Sequence, residues 1–457
     1  MRLPRLPNIK GELFASTFTY GIGTVVKLGS SLILTRLLDP QAYGIFGIVV
    51  SLMAIIEMSF DVGTFAYLVR HPRGHEKLVV HTIWTVRFFR CIAAFLLMFA
   101  LAPVAAGFYH QPVLTNAYRV LSFCFLISGL ESMAYILAPR DQRARLTNYA
   151  DLLSSIGATV FTISLAQVLK SHMAFIAGLL FQRALLTISS HFFYRDIGVG
   201  LAFDRETLRG QFEFSRVVIP STLLSMVLSQ YDKFILLRLF DLRLLGIYGL
   251  ACNMIGPASG IVLHNARVIL YARVADYFRT DRASAVSRYY SENRNLFLIG
   301  ILLPSLVAGF ARPLIEVLYD ARYAAVGPTL TVLAVASLFA SFQNTSENLV
   351  VAAGKTHVVL VANIIRVCTL IPMTLLGYYL FGFMGFVWFV CFATLPPLLY
   401  YYYEQHKIGA LDLGQELKLY AIAAATLGLC LAAGQLLLMA LPPDWLHLSL
   451  RKHLANR

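Results

Sequence analysis

The sequence has few charged residues and no long polar stretch. Asp, Glu, Lys and Arg make up 14% of it and hydrophobic residues 58%, whereas a soluble domain carries about 25% charged residues. A water-soluble fold is therefore excluded. The 457 residues would suffice for more than one soluble domain, but no polar stretch is long enough to form even one. We interpret the chain as a membrane protein throughout.

Several chemical signatures are also missing. The six cysteines are scattered singly through apolar stretches, without the paired spacing of a metal site or a disulfide framework. There is no glycine-rich phosphate loop and no nucleophile and base pattern, so we expect no enzyme activity, no metal and no cofactor. The net charge of +14 is spread over short loops and not gathered on a soluble face, which excludes a nucleic-acid partner.

Apolar segments of membrane-spanning length are abundant. A helix needs about 20 apolar residues to cross a hydrocarbon core of about 30 Å. The sequence predicts an all-α fold with twelve core spans and further helix at the C-terminal end. The core spans are 12–37, 43–68, 79–109, 113–138, 148–169, 172–195, 214–238, 245–270, 294–318, 326–353, 357–380 and 382–403, and a thirteenth lies at 417–441.

An internal repeat divides these spans. Residues 33–47 (ILTRLLDPQAYGIFG) and 235–249 (ILLRLFDLRLLGIYG) match without gaps at eight of fifteen positions, with an offset of 202. Hydrophobicity alone does not align Arg, Asp and two Gly residues at fixed spacing, so we infer a duplication. We expect an N-lobe at 1–195, an amphipathic connector at 196–213, a C-lobe at 214–405 and extra helix at 406–457. Six helices per lobe make the lobes parallel repeats with a central cavity between them.

The distribution of Lys and Arg predicts the orientation in the membrane. Short loops rich in these residues stay on the cytoplasmic side. The N-terminus with Arg2, Arg5 and Lys10 and four later basic loops then lie inside, and the alternate loops carry almost no charge. We expect a multi-pass inner-membrane protein with a cytoplasmic N-terminus. A thirteenth helix would place Arg451, Lys452 and Arg457 outside, so the last segment is either re-entrant or paired with a short fourteenth helix at 445–450.

Four blocks of the sequence carry a resemblance to a known family. They are LTRLLDPQAYGIFG at 34–47, SQYDKFIL followed by LGIYGLA at 229–251, ARPLIEVLYDARYAA at 311–325 and AAGK at 352–355. Over about residues 10–405 the chain resembles the polysaccharide repeat-unit flippases of the multidrug/oligosaccharidyl-lipid/polysaccharide exporter superfamily. The first block is the most specific of the four.

The resemblance implies two six-helix lobes around a cationic cavity that opens alternately to the two sides of the membrane. The implied cargo is an undecaprenyl-pyrophosphate-linked oligosaccharide for O-antigen, capsule or exopolysaccharide. The polymerase and chain-length proteins of the same pathway are candidate partners, besides the lipid-linked substrate and membrane lipid. The motifs define this class of cargo and not the individual sugar.

Ionisable residues inside the spans are the candidate site residues. Each costs about 2.5–3.5 kcal/mol at a helix centre on insertion scales, so those that remain should face a cavity or a partner. Lys27, Arg183 and Arg366 lie near the middle of their spans, and we predict that they bind the pyrophosphate; Arg267 is a fourth candidate. Arg87, Arg90 and Arg216 lie nearer helix ends, and we expect them to extend towards the membrane surface.

The acidic and amide residues within the spans each have two possible roles. Glu57, Asp61 and Glu347 either neutralise nearby cations or bind H⁺ or Na⁺ as a coupling ion. Gln343, Asn344 and Asn348 form a polar cluster in one span, which either contacts sugar hydroxyls or forms hydrogen bonds between helices.

Two other functions compete with the flippase. A multidrug or metabolite exporter of the same superfamily would share the fold, but its cationic drugs favour acidic cavities. A membrane-embedded glycan polymerase or ligase would need a large external loop, and no outward loop before the thirteenth segment exceeds about fifteen residues.

Overall fold

All regular structure is helical in the part of the chain that the computed structural model describes, which confirms the all-α prediction. This part comprises residues 9–441 except 61–63, 65–66, 69–72, 75, 138–143, 194–199, 266–273, 275–276, 279–284 and 356. The α-helices are α1 Ile9–Leu37, α2 Pro40–Ser59, α3 Lys77–Phe108, α4 Val113–Gly129, α5 Met133–Leu137, α6 Ala144–Leu169, α7 Met173–Phe193, α8 Arg205–Leu239, α9 Leu242–Asn265, α10 Ala285–Glu292, α11 Arg294–Leu318, α12 Val326–Ala352, α13 His357–Phe392, α14 Leu395–Lys407 and α15 Leu413–Ala440.

The surface of these helices is that of a membrane protein. Eight helices among the described residues are long and apolar enough to cross a membrane. Large apolar side chains point outward along them, including Val168 (78% exposed), Leu429 (72%) and Met439 (81%). Contact with lipid satisfies such side chains, whereas contiguous apolar patches of this kind are rare on monomeric proteins in water. The chain is therefore a multi-pass membrane protein.

The sequence repeat is also a structural repeat. Helix α1 ends at Leu37 and α8 ends at Leu239, while α2 begins at Pro40 and α9 begins at Leu242. Both boundaries are displaced by the same 202 positions that separate the two sequence blocks. The predicted duplication therefore extends to the ends of the helices.

The chain divides into two compact units, Met1–Leu242 and Arg243–Arg457. In the first unit, α3 packs against α4, α6 against α7 and α1, and α8 against α2 and α3. Helix α8 begins within the segment predicted as a connector and continues without a break through the next span. The lobe boundaries stated above stay a prediction.

The segment just before α8 is attached to α3 by hydrogen bonds from its backbone amides to threonine side chains. The amides of Ala202 and Asp204 donate to the hydroxyls of Thr85 and Thr82, each at 3.1 Å. The Asp204 carboxylate then accepts from the Thr207 amide at 3.1 Å and caps the helix. This carboxylate satisfies one of the amides that a helix start leaves unpaired.

In the second unit, α11 packs against both α12 and α15, and α12 packs against α13 and α14. The backbone of α13 departs from helical geometry at Gly382 (φ 62°, ψ −141°), a region that is open almost only to glycine. This kink lies at the first residue of the predicted span 382–403, next to the end of the predicted span 357–380. The predicted span 382–403 is itself interrupted near Thr394, where α14 follows α13.

Close glycine contacts fix the packing of α15. A β-carbon on Gly309 of α11 would collide with the backbone carbonyl of Cys430, and one on Gly434 would collide with the backbone carbonyl of Gly309. Glycine therefore lets the two backbones touch, as is common between membrane helices. This crossing holds the thirteenth predicted span against α11.

Replacing Gly309 or Gly434 by alanine should destabilise the protein. The added methyl forces α11 and α15 apart, and overpacking of this kind costs about 1–3 kcal/mol. The measurement is the thermal unfolding midpoint in detergent, followed by circular dichroism. Gly428→Ala on the same helix is the matched control, because a β-carbon there has nothing within 4 Å. Equal midpoints for Gly434→Ala and Gly428→Ala would contradict the close crossing.

Candidate functional site

An open ion pair joins α7 to α2 in the first unit. Arg183 Nη2 lies 3.8 Å from Glu57 Oε2, and the two side chains are 31% and 51% exposed. Helices α2 and α7 both meet the length and composition of membrane spans. The pair brings a predicted phosphate ligand together with a predicted coupling residue, at a separation too long for a strong hydrogen bond.

A second acidic group lies close to the same cations. The Tyr135 hydroxyl donates to Asp151 Oδ1 at 2.7 Å, and the charges of Glu131, Arg183 and Lys27 all act on the Asp151 carboxylate. Lys27 itself is exposed on α1, which packs against α6. Lys27, Glu57, Asp151 and Arg183 form what we call the open cluster, with two cations and two carboxylates on four different helices.

A break in the fourth predicted span lies beside the open cluster. The sequence predicts one helix over 113–138, but α4 ends at Gly129 and α5 begins at Met133. Three side chains of α7 satisfy the freed backbone groups. Thr187 donates to the Ile127 carbonyl at 3.2 Å, Ser190 accepts from the Ser132 amide at 3.0 Å, and His191 Nε2 bonds the Leu130 carbonyl at 2.8 Å. Residues spaced three and four apart share one helix face, so one face of α7 caps the whole break.

The break places Glu131 against Arg87 of α3. The Arg87 guanidinium donates to the Glu131 carboxylate, and each residue is only 8% exposed. Arg87 therefore does not extend to the membrane surface, and that expectation was wrong, because a buried carboxylate supplies its partner inside the protein. Arg90, one turn further along α3, donates to the Thr64 hydroxyl at 3.2 Å. We call Arg87–Glu131 the closed pair.

In the second unit, Arg366 lies near a phenol and a carboxylate. Its Nε atom is buried without a hydrogen-bond partner among the described residues, and its charge acts on Tyr401. The buried Tyr401 hydroxyl donates to Glu347 Oε2 at 3.1 Å. Glu347 is thus positioned by a phenol from α14.

The amide cluster of α12 is mostly internal. Gln343 is 6% exposed, and Asn348 donates to the backbone carbonyl of Asn344 at 2.7 Å. Their contact with sugar stays a prediction. Arg267 and Asp61 lie outside the described residues, so their roles stay predictions as well.

Lys355 of the AAGK motif forms an ion pair with the buried carboxylate of Glu404. Gly354 adopts a positive φ of 87° that allows the turn after α12. Lys355 Nζ then lies 3.6 Å from Glu404 Oε2, and Lys407 Nζ lies 3.0 Å from Glu404 Oε1. Glu404 is 6% exposed and carries two cationic partners.

Breaking the closed pair should be costly. Arg87→Met leaves the Glu131 carboxylate buried without a counter-charge, and removing one partner of a buried pair costs about 3–5 kcal/mol. Unfolding in detergent by titration with a denaturing surfactant measures the change. The double variant Arg87→Met/Glu131→Gln should recover most of the loss. A loss below about 1 kcal/mol for Arg87→Met would match an exposed pair instead.

Comparison with solved structures defines the fold. The lipid II flippase MurJ in an inward closed conformation aligns with a TM-score of 0.71, over 97% of this chain and 99% of that chain, at 12% identity. An inward-facing multidrug resistance MATE family transporter of the MOP superfamily aligns with a TM-score of 0.63, over 85% and 95%, at 13% identity. The fold is therefore that of the MurJ and MATE transporters.

The sequence comparisons give the family. The profile described as "Polysaccharide biosynthesis protein" matches residues 33–328, and the chain belongs to this family. A candidate O-antigen transporter of Shigella flexneri is 22% identical over 394 residues, which cover 80% of this chain and 90% of that protein. These findings confirm the resemblance drawn from the four sequence blocks.

Proposed function

We propose that this protein is a flippase for an undecaprenyl-pyrophosphate-linked oligosaccharide. It moves the repeat unit from the cytoplasmic to the periplasmic leaflet by alternating access, for assembly of O-antigen, capsule or exopolysaccharide. The chain acts as a carrier and not as an enzyme. The open cluster carries the proposal, because the exposed Lys27 of α1 and the partly exposed Arg183 of α7 fit the headgroup of such a cargo.

The chemistry of the cargo requires these cations. A pyrophosphate brings negative charge into a medium of low dielectric constant, where an uncompensated charge is very costly. The Arg183 guanidinium offers forked donors to phosphate oxygens, and the Lys27 ammonium supplies a compact charge. Arg366, whose buried Nε has no hydrogen-bond partner in the described part of the chain, and Arg267 are the further proposed ligands.

The two arginine pairs of the first unit are suited to different tasks. Arg87 is buried and bound at short range to Glu131, so exchanging its partner would leave a buried carboxylate alone. Arg183 is 3.8 Å from a half-exposed Glu57, and an open, long pair costs little to separate. We therefore assign cargo binding to Arg183 and a structural role to Arg87.

The same exchange suggests how an ion could be coupled. When a phosphate binds Arg183, Glu57 loses its counter-charge. The Glu57 carboxylate can then bind H⁺ or Na⁺. Glu347 and Asp61 are further proposed coupling residues, and Gln343, Asn344 and Asn348 are proposed sugar contacts. Polymerase and chain-length proteins of the same pathway are proposed partners. The family match to polysaccharide biosynthesis favours a glycan cargo over a drug or metabolite.

Removing the cations should abolish surface polysaccharide. We expect Arg183→Ala, Lys27→Ala and Arg366→Ala each to reduce the polymer to background in a strain that lacks its own transporter, because the phosphate charge would enter the membrane uncompensated. Polymer is measured by gel electrophoresis of cell-surface extracts. Arg209→Ala is the matched control, since its side chain is 82% exposed and pairs with Glu213. Immunoblots of membranes establish that each variant accumulates, and wild-type polymer in all three variants would overturn the assignment.

We also propose that the N-terminus lies in the cytoplasm of an inner membrane. In a variant without native cysteines, Pro112→Cys between α3 and α4 should react with a membrane-impermeant maleimide added to intact spheroplasts. His406→Cys at the end of α14 should react only after permeabilisation. Both positions are exposed, so access to the reagent depends on the side of the membrane. The opposite labelling pattern would reverse the orientation.

A further inference from the structure

One buried carboxylate has no cation within reach among the described residues. Three glutamates are buried in the described part of the chain: Glu131, Glu404 and Glu416, at 8%, 6% and 6% exposure. Glu131 is paired with Arg87, and Glu404 is paired with two lysines. No described cation lies within ion-pair distance of Glu416.

Phenols surround Glu416 instead. The Tyr290 hydroxyl of α10 donates to Oε1 at 2.8 Å, and the Tyr402 hydroxyl of α14 donates to Oε2 at 2.9 Å. The hydroxyls of Tyr402 and Tyr420 lie 2.8 Å apart. Among the described residues, five groups interact electrostatically with Glu416. They are Tyr289 and Tyr290 of α10, Tyr402 of α14, Asp412 just before α15, and Tyr420 on α15.

An ionised carboxylate in this position is poorly compensated. Burying a charge without a counter-charge costs several kcal/mol, so a buried acid without a cation tends to hold its proton. Two phenol donors offset only part of that cost. Tyr290 remains a donor throughout, because burial and the neighbouring Glu416 carboxylate raise the pKa of its phenol above the ordinary value.

The phenol chain can satisfy both protonation states. A phenol has one hydrogen and can also accept. With Glu416 ionised, Tyr420 donates to Tyr402, and Tyr402 donates to Oε2. With a proton on Oε2, Glu416 donates to the Tyr402 oxygen, and Tyr402 turns its hydrogen towards the Tyr420 oxygen. Neither state needs a heavy atom to move.

We propose that Glu416 is a proton-binding site whose carboxyl gains and loses one proton as the hydrogen bonds of Tyr402 and Tyr420 reverse direction. The site joins α10, α14 and α15, so its proton alters the charge at the packing of three helices. Glu416 is distinct from the coupling residues proposed above. Its use in transport rests on the proposed function, whereas the binding of the proton does not.

Infrared difference spectroscopy tests the site directly. Purified protein in lipid is compared between acidic and alkaline buffer, without cargo. We expect the carbonyl-stretch band of a buried protonated carboxylic acid in the acidic spectrum, shifted by deuterated water. Glu416→Gln should lose the band. Glu404→Gln is the matched control and should keep it at full amplitude, because Glu404 is paired with lysines.

A second pair of variants keeps the proposal falsifiable if Glu416→Gln fails to fold. Tyr402→Phe preserves the ring but removes the oxygen that accepts from the protonated Glu416, so the band should move to higher frequency. Tyr379→Phe, at a residue 79% exposed, should leave the band in place. An absent band in the wild type, or an unchanged band in Glu416→Gln or Tyr402→Phe, would overturn the proposal. A wild type that binds the proton but fails to move lipid-linked cargo would overturn the flippase assignment alone.

Discussion

In a hydrocarbon environment every polar group needs its partner inside the protein, and the structure depends on this constraint. A helix satisfies its own backbone, so any break in a spanning helix frees donors and acceptors that other residues must satisfy. The break between α4 and α5 meets this need with Thr187, Ser190 and His191 of α7. The packing of α7 and the break in the fourth span therefore depend on each other.

The same constraint separates the charged groups of the two units into three kinds. The closed pair Arg87–Glu131 is compensated at short range and buried. The open pair Arg183–Glu57 is long and accessible, and so it can exchange partners. Glu416 has phenols in place of a cation. Only the second and third kinds can change state at small cost. The proposed cargo ligand Arg183 and the proposed proton site Glu416 belong to these two kinds.

The sequence predicted most helix positions, because hydrophobic length and the repeat are local properties, but it missed the breaks at 130–132 and 393–394. The equal offset of the two turns at Leu37–Pro40 and Leu239–Leu242 follows directly from aligned residues. The partners of charged side chains were not accessible in the same way. Hydropathy places Arg87 towards a helix end, but only the fold brings Glu131 to it from the break between α4 and α5. The break near Leu130 contains no proline, and the polar face of α7 that caps it has meaning only once α7 is known to pack there.

Duplication explains the fold but not the chemistry of the two units. Among the described residues of the first unit, Glu131 and Glu57 pair with arginines of the membrane-spanning helices α3 and α7. Carboxylates of the second unit more often accept from tyrosine, as Glu347 does from Tyr401 and Glu416 does from Tyr290 and Tyr402. A guanidinium keeps its charge at all relevant pH values, whereas a carboxylate held by phenols can take a proton. The duplicated scaffold therefore holds different polar chemistry in its two units, with the Arg87–Glu131 and Arg183–Glu57 pairs in the first and the tyrosine contacts of Glu347 and Glu416 in the second.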